Sequence, residues 1–192
     1  SILFLVVASW CLHSTLVYES DKPALRSKYG SERFRMAAEK ILEENPVFKG
    51  LLTNSRGNSL NYTDKGWSFS ASKEFQDLSY FLLAAVSKFE KSFQISPHSV
   101  TEKDQLHLLA IPYTSPEQTM SLMNDAYNRG RHIQNSLVYY GALDSSLTLE
   151  ISNEMGKSLS IICLDGSSWL VTGPSRKILF SVFPQSFLHF LK

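Results

Sequence analysis

Residues 2–7 (ILFLVV) are an unbroken apolar run rich in β-branched side chains, the pattern of a strand covered on both faces, as in a parallel sheet. A polar connection containing Pro23 and Gly30 follows. From Ser31, the apolar residues Phe34, Ala37, Ala38, Ile41 and Leu42 recur at helical spacing and stop at Asn45-Pro46, which predicts an amphipathic helix. Residues 47–53 then read as a strand, 54–58 (NSRGN) as a turn and 59–63 as a short returning strand, a hairpin. Phe75, Leu78, Leu82, Ala85, Val86, Phe89 and Phe93 form the most regular helical stripe of the chain, with Ser70 or Ser72 available as N-cap.

After a polar loop at 97–104, residues 106–111 (LHLLAI) predict a second buried strand, ended by Pro112. Ser115-Pro116-Glu117-Gln118 is a capping box with proline at the first helical position, and Met120, Met123, Ala126, Tyr127 and Gly130 carry that helix to Arg131. Residues 137–143 read as a strand. Residues 147–155 fit either state, since Leu147 and Ile151 are four apart while Leu147, Leu149 and Ile151 also alternate. Residues 158–164 and 169–172 are strand-like about an Asp165-Gly166 hairpin signal, and 184–191 suits a short helix. Alternating strands and helices predict an α/β fold: a three-layer, mostly parallel sheet flanked by helices, with one antiparallel edge hairpin. With no repeat, linker or low-complexity tract, residues 1–192 read as a single domain.

Composition narrows the function classes. Only 19% of residues are charged and the formal net charge is +1, so the chain carries no field for steering an anionic polymer and direct nucleic-acid binding is not expected. Polarity comes instead from 29 serines, and a hydroxyl-rich surface is cheap to desolvate, the surface of a complex subunit. Cys11 and Cys163 are far apart and adjoin apolar runs, so neither a zinc module nor a disulfide framework is encoded, and both read as buried thiols. The uncharged stretch 1–18 is interrupted by Ser9, His13, Ser14 and Thr15 and no basic residue precedes it; it reads as a buried strand, with an N-terminal signal or membrane anchor as the lesser alternative. Asn61-Tyr62-Thr63 is a glycosylation sequon of a kind that arises by chance.

In a parallel α/β sheet, chemistry sits beyond the carboxyl ends of the strands. The exits here are Ala8-Ser9-Trp10 and Pro112-Tyr113-Thr114-Ser115, and neither carries a carboxylate. There is no GxGxxG, GxxxxGKS or GxSxG, and His13, His98, His107, His132 and His189 have no metal-ligand spacing. His107 reads as a core imidazole and His98 as a solvent-facing loop residue. Asp144, Glu150 and Glu154 read as a solvated face with an N-cap at Asp144, and Arg129-Gly130-Arg131-His132 as favourable charge at a helix C-terminus. Trp10 is the aromatic best placed to anchor a partner, and Ser9, Trp10, Tyr113 and Thr114 are the expected partner-binding residues. No catalytic residue, metal or cofactor is expected.

Four segments, 108–126 (LLAI through QTMSLMNDA), 139–145 (YYGALDS), 147–156 (LTLEISNEMG) and 184–191 (PQSFLHFL), together resemble the smaller von Willebrand A subunit of the transcription and repair factor TFIIH. The likeness covers about half of the chain. It implies a von Willebrand A-like domain acting as a non-catalytic scaffold subunit in transcription initiation and nucleotide excision repair, nuclear, docked on a second von Willebrand A-type subunit. The metal motif DxSxS of such domains is replaced here by Ala8-Ser9-Trp10-Cys11-Leu12, which removes the hard oxygen ligands a divalent cation needs. The family carries a cysteine-rich zinc segment after the domain, and residues 1–192 do not contain one: the segment lies beyond them, has been lost, or the resemblance is to the fold alone. An alternative resemblance, to roadblock or longin-type modules of small-GTPase regulators in the cytoplasm, rests on residues 45–52 and 55–57 as strand and turn and 75–93 as the central helix. An enzyme with a site assembled from scattered residues is the remaining alternative.

Overall fold

The computed structural model describes residues 7–89, 92–101, 105–143, 145–153, 160–165 and 167–181. Among these residues eleven strands join in one sheet. They are β1 (Val7–Cys11), β2 (Phe48–Asn54), β3 (Ser59–Thr63), β4 (Gly66–Ser70), β5 (Gln76–Ala84), β6 (His107–Pro112), β7 (Tyr139–Ala142), β8 (Ser146–Ser152), β9 (Ile161–Leu164), β10 (Ser167–Leu170) and β11 (Ser175–Ser181). The α-helices are α1 (Leu12–Ser20), α2 (Pro23–Tyr29), α3 (Arg33–Glu44) and α4 (Pro116–Tyr127). Among the described residues every strand pairing is antiparallel. The predicted mostly parallel three-layer sheet is therefore overturned. Its decisive pairing, 2–7 beside 106–111, does not form: β6 pairs with β5 and β7, and β1 pairs with β5 and β9, while residues 2–6 lie outside the described residues.

β5 organises the molecule. β6 runs along one of its edges, while β1 and β2 share the other: Cys11 of β1 faces Tyr80 and Phe48 of β2 faces Leu78. The sheet forks where β1 gives way to β2, with β9 and β10 continuing from β1 and β8 and β11 from β2. Both faces of β5 are covered. Leu78, Phe81 and Leu83 join one apolar cluster with Trp10, Phe48 and Leu149, whereas Tyr80, Leu82 and Ala84 join another with Ile95, Leu122 and Ala126 of α4.

That double burial explains the main misreading. A strand covered on both faces has no two-residue alternation, and a register shift between Leu78 and Tyr80 disturbs the rest, so the stripe from Phe75 imitates a helix. The strand at 76–84 removes the central helix that the roadblock-type alternative needs. Of the ambiguous 147–155 segment, residues 147–152 lie in β8, with Leu147, Leu149 and Ile151 fully buried and the residues between them half-buried, while 154 and 155 lie outside the described residues. The hairpin β2–β3 forms as read. α3 also forms and ends on Asn45 in the left-handed region (φ 41°), and α4 is capped by Ser115 Oγ, which accepts from Gln118 N at 3.3 Å. Helix α1 went unread because its fully buried positions are serines, Ser14 and Ser20, and no apolar stripe announces it. The expected helix at 184–191 lies outside the described residues. Asn61 is buried, and its carboxamide donates to Ser59 O (2.9 Å) and Ser70 Oγ (2.8 Å), so the sequon side chain is engaged within the fold.

Candidate functional site

β1 passes straight into α1 through Cys11, whose backbone (φ 67°, ψ −137°) lies in a region essentially restricted to glycine. The other described non-glycine residues with positive φ, Asn45, Arg129 and Asp165, sit at φ 41°, 56° and 46°, where short polar side chains and turn residues are tolerated. Hydroxyls hold the turn. The Cys11 carbonyl accepts from Thr15 Oγ1 (2.9 Å) and lies 3.0 Å from Ser14 Oγ, which is also 2.6 Å from Ile161 O on β9. Trp10 is locked beside it by a bond from Nε1 to Ser160 Oγ (2.9 Å) and an edge contact with Phe48. Strain of this kind persists only where the surroundings over-determine it, and it concentrates at functional sites.

The turn places His13 on the first turn of α1. Its Nδ1 lies 2.8 Å from Ser9 Oγ, and its ring packs on Phe89 (5.0 Å) and meets Tyr80 edge-on (5.7 Å). Ser9 is fully buried and His13 half-buried, so the serine stands behind the imidazole and fixes its orientation. No hydrogen bond to Nε2 is made among the described residues. Burial among these rings lowers the His13 pKa from 6.5 to about 4, so the imidazole is neutral at physiological pH. Burial likewise raises the Cys11 thiol well above its ordinary range, which makes it an inert neighbour rather than a nucleophile. The Tyr80 hydroxyl, its pKa raised by burial and then by Cys11, is buried without a hydrogen-bond partner among the described residues. The site therefore offers a neutral imidazole with one nitrogen anchored and one available, walled by aromatic rings. Such a group accepts a hydrogen bond from a substrate hydroxyl when its Nδ1 carries the proton.

Of the expected partner-binding residues, Ser9 and Trp10 have 0% exposure. Tyr113 is 41% exposed, its hydroxyl accepting from Asn45 Nδ2 (2.7 Å). Thr114 is buried, with its N–H on Ser79 Oγ (3.2 Å) and its hydroxyl on Gln118. Ser9 and Trp10 lie within β1 while Tyr113 and Thr114 follow β6, on the opposite edge of β5, and the two pairs are not brought together. His13, Cys11 and Tyr80 were missed: Ser9 and His13 are four apart, but nothing in the sequence marks Cys11 as the turn that lets them meet, and Tyr80 comes from a strand read as helix.

A second polar cluster lies beyond β6. His107 Nδ1 is 3.1 Å from Ser99 Oγ, Ser99 is 2.8 Å from Ser96 Oγ, and Ser96 is 2.9 Å from the Tyr140 hydroxyl. The Tyr140 ring stacks on His107 at 5.3 Å, and exposed His98 packs edge-on against it. This network pins the 97–100 turn to the sheet. Among the described residues no three His, Cys, Asp or Glu side chains are grouped to hold a metal ion.

No family model matches the sequence, and no curated protein matches it. Among solved structures, a putative diacylglycerol kinase from Bacillus anthracis str. Sterne superposes with a TM-score of 0.48 at 11% identity, over 92% of this chain and 50% of that one. A diacylglycerol kinase from the same organism gives 0.42 at 9% identity, over 93% and 47%. The chain thus spans about half the length of these structures, and at such TM-scores the likeness carries no functional argument. Neither is a von Willebrand A domain. The resemblance to the von Willebrand A subunit is overturned by the sheet itself, whose pairings among the described residues are all antiparallel. The non-catalytic TFIIH-like scaffold in transcription and repair, and the expectation that the chain is no enzyme, were drawn from that resemblance and are withdrawn with it.

Proposed function

We propose that the chain forms part of an enzyme whose reacting centre is built on the β1–α1 turn and which transfers a group to the hydroxyl of a largely apolar substrate. The observation that supports this reading most is His13, presented by a strained turn with Nδ1 anchored on Ser9 and Nε2 unengaged. A pKa of about 4 makes His13 a weak base, so its role is to hold the acceptor hydroxyl in place, with full proton abstraction not required. Phosphoryl transfer suits that role, because its transition state is loose and catalysis consists largely of positioning and charge stabilisation. The aromatic wall of Tyr80 and Phe89 suits a substrate whose hydroxyl is borne on an apolar body.

Diacylglycerol, with a nucleoside triphosphate as donor, is the pair to assay first, since it has this chemistry and gives both structural neighbours their names. Incubating the full-length protein with a dispersed panel of diacylglycerol, other apolar alcohols and water-soluble alcohols, and following labelled phosphate into product, should give an apolar phosphorylated alcohol. Labelling of the water-soluble alcohols alone, or of nothing in the panel, would refute the proposal.

A further inference from the structure

We propose that the edge strand β10, with the connection that follows it to Arg176, docks on an anionic lipid surface. Among the described residues β10 pairs only with β9 and ends the sheet on that side. All four of its residues are exposed, and since successive side chains point to opposite faces of a strand, Trp169 (60% exposed) and Leu170 (52%) leave both faces uncovered. An edge strand in water is ordinarily blunted by charge, a bulge or a covering element; this one presents tryptophan and leucine.

Charge selects the occupant. From Gly166 to Ser181 the chain has no Asp or Glu, while Arg176 and Lys177 lie in the same stretch. Arg176 bonds the carbonyl and hydroxyl of Thr172 and has no acidic partner among the described residues, whereas Lys177 pairs with Glu150 at 3.0 Å. Exposed tryptophan and leucine on a strand followed by an arginine tied to the next connection form the combination that settles at the headgroup boundary of an acidic membrane, apolar groups entering and the cation meeting phosphate. An acidic protein partner would have no need of apolar groups on both strand faces. No helix among the described residues is long and apolar enough to cross a membrane, so the contact is peripheral.

Trp169 supplies its own probe, because of the three tryptophans Trp10 is fully buried and Trp67 half-buried and bonded to Leu137 O. The test is tryptophan emission and co-sedimentation of the full-length protein with phosphatidylcholine vesicles, without and with about 30 mol % phosphatidylserine. The expected result is a blue shift and binding about fivefold tighter to the anionic vesicles, weakened by salt. Trp169→Ser with Leu170→Ser should weaken binding about tenfold, and Arg176→Glu should abolish the preference for anionic lipid, both with unchanged melting temperature. Absence of binding, equal binding to both vesicles, or binding unaffected by these variants overturns the proposal. So does self-association in sedimentation velocity that the same variants abolish, which would assign the edge to a second copy of the chain. Vesicle binding is read without turnover, so its failure and that of the enzymatic reading are separate events.

Discussion

Cys11 reverses the usual order of substitution. In a regular strand or helix, glycine is less stable than alanine by about 0.5–1 kcal/mol. At φ 67° and ψ −137° any Cβ carries the strain, on the order of 1–3 kcal/mol, and only glycine escapes it. Thermal and denaturant unfolding should therefore rank Cys11→Gly above Cys11→Ala by at least about 1 kcal/mol; the opposite rank would mean that the turn is not strained. His13 gives a second prediction. Its folded pKa of about 4 lies below the unfolded 6.5, so the unfolded chain binds the proton first as pH falls. Stability is complete above pH 6.5 and is lost between 6.5 and 4, by about 2 kcal/mol at pH 5. His132, lowered mainly by burial, adds to the same trend, so the measurement is the difference between wild type and His13→Gln across that window; superimposable curves would contradict the buried, neutral imidazole. Little of this was legible in sequence. A histidine four residues from a serine is unremarkable, and the turn that joins them is the one residue whose type argues against it.

Trp10 and Gly50 show how the elements fix the site. A Cβ built on Gly50 of β2 would lie 2.5 Å from the Trp10 ring, so the fork between β1 and β2 closes only because one partner is glycine and the other a flat indole. Gly50→Ala should destabilise by about 1–3 kcal/mol through overpacking. Combining it with Trp10→Phe should recover about 1 kcal/mol or more in a double-mutant cycle, whereas additivity would show that the two do not share the space. Elements with an amphipathic stripe or a turn signature, α3, α4 and the β2–β3 hairpin, were readable. Those whose burial departs from the simple patterns were not: α1 buries serines, β5 is buried on both faces, and β4 has no fully buried residue.

At the scale of the molecule, strand direction was the illegible quantity. An apolar run such as 106–111 signals burial on both faces, which a parallel sheet produces by covering itself with helices. Here the same burial arises because an antiparallel sheet forks at β5 and packs two apolar clusters against its faces. The low charge that first suggested a scaffold surface is compatible with both arrangements. What distinguishes the chain functionally is the β1–α1 turn at the fork, and the central claim is that His13, steadied by Ser9, receives the substrate hydroxyl. The direct measurement is steady-state kinetics of the full-length protein, wild type against His13→Gln and Ser9→Ala, with melting temperatures recorded in parallel. His13→Gln should lower kcat/KM by about a hundredfold, the cost of a misplaced acceptor hydroxyl, and Ser9→Ala, acting only through orientation of the imidazole, should cost about tenfold, both with the fold retained. Folded variants that turn over at the wild-type rate would contradict the central claim.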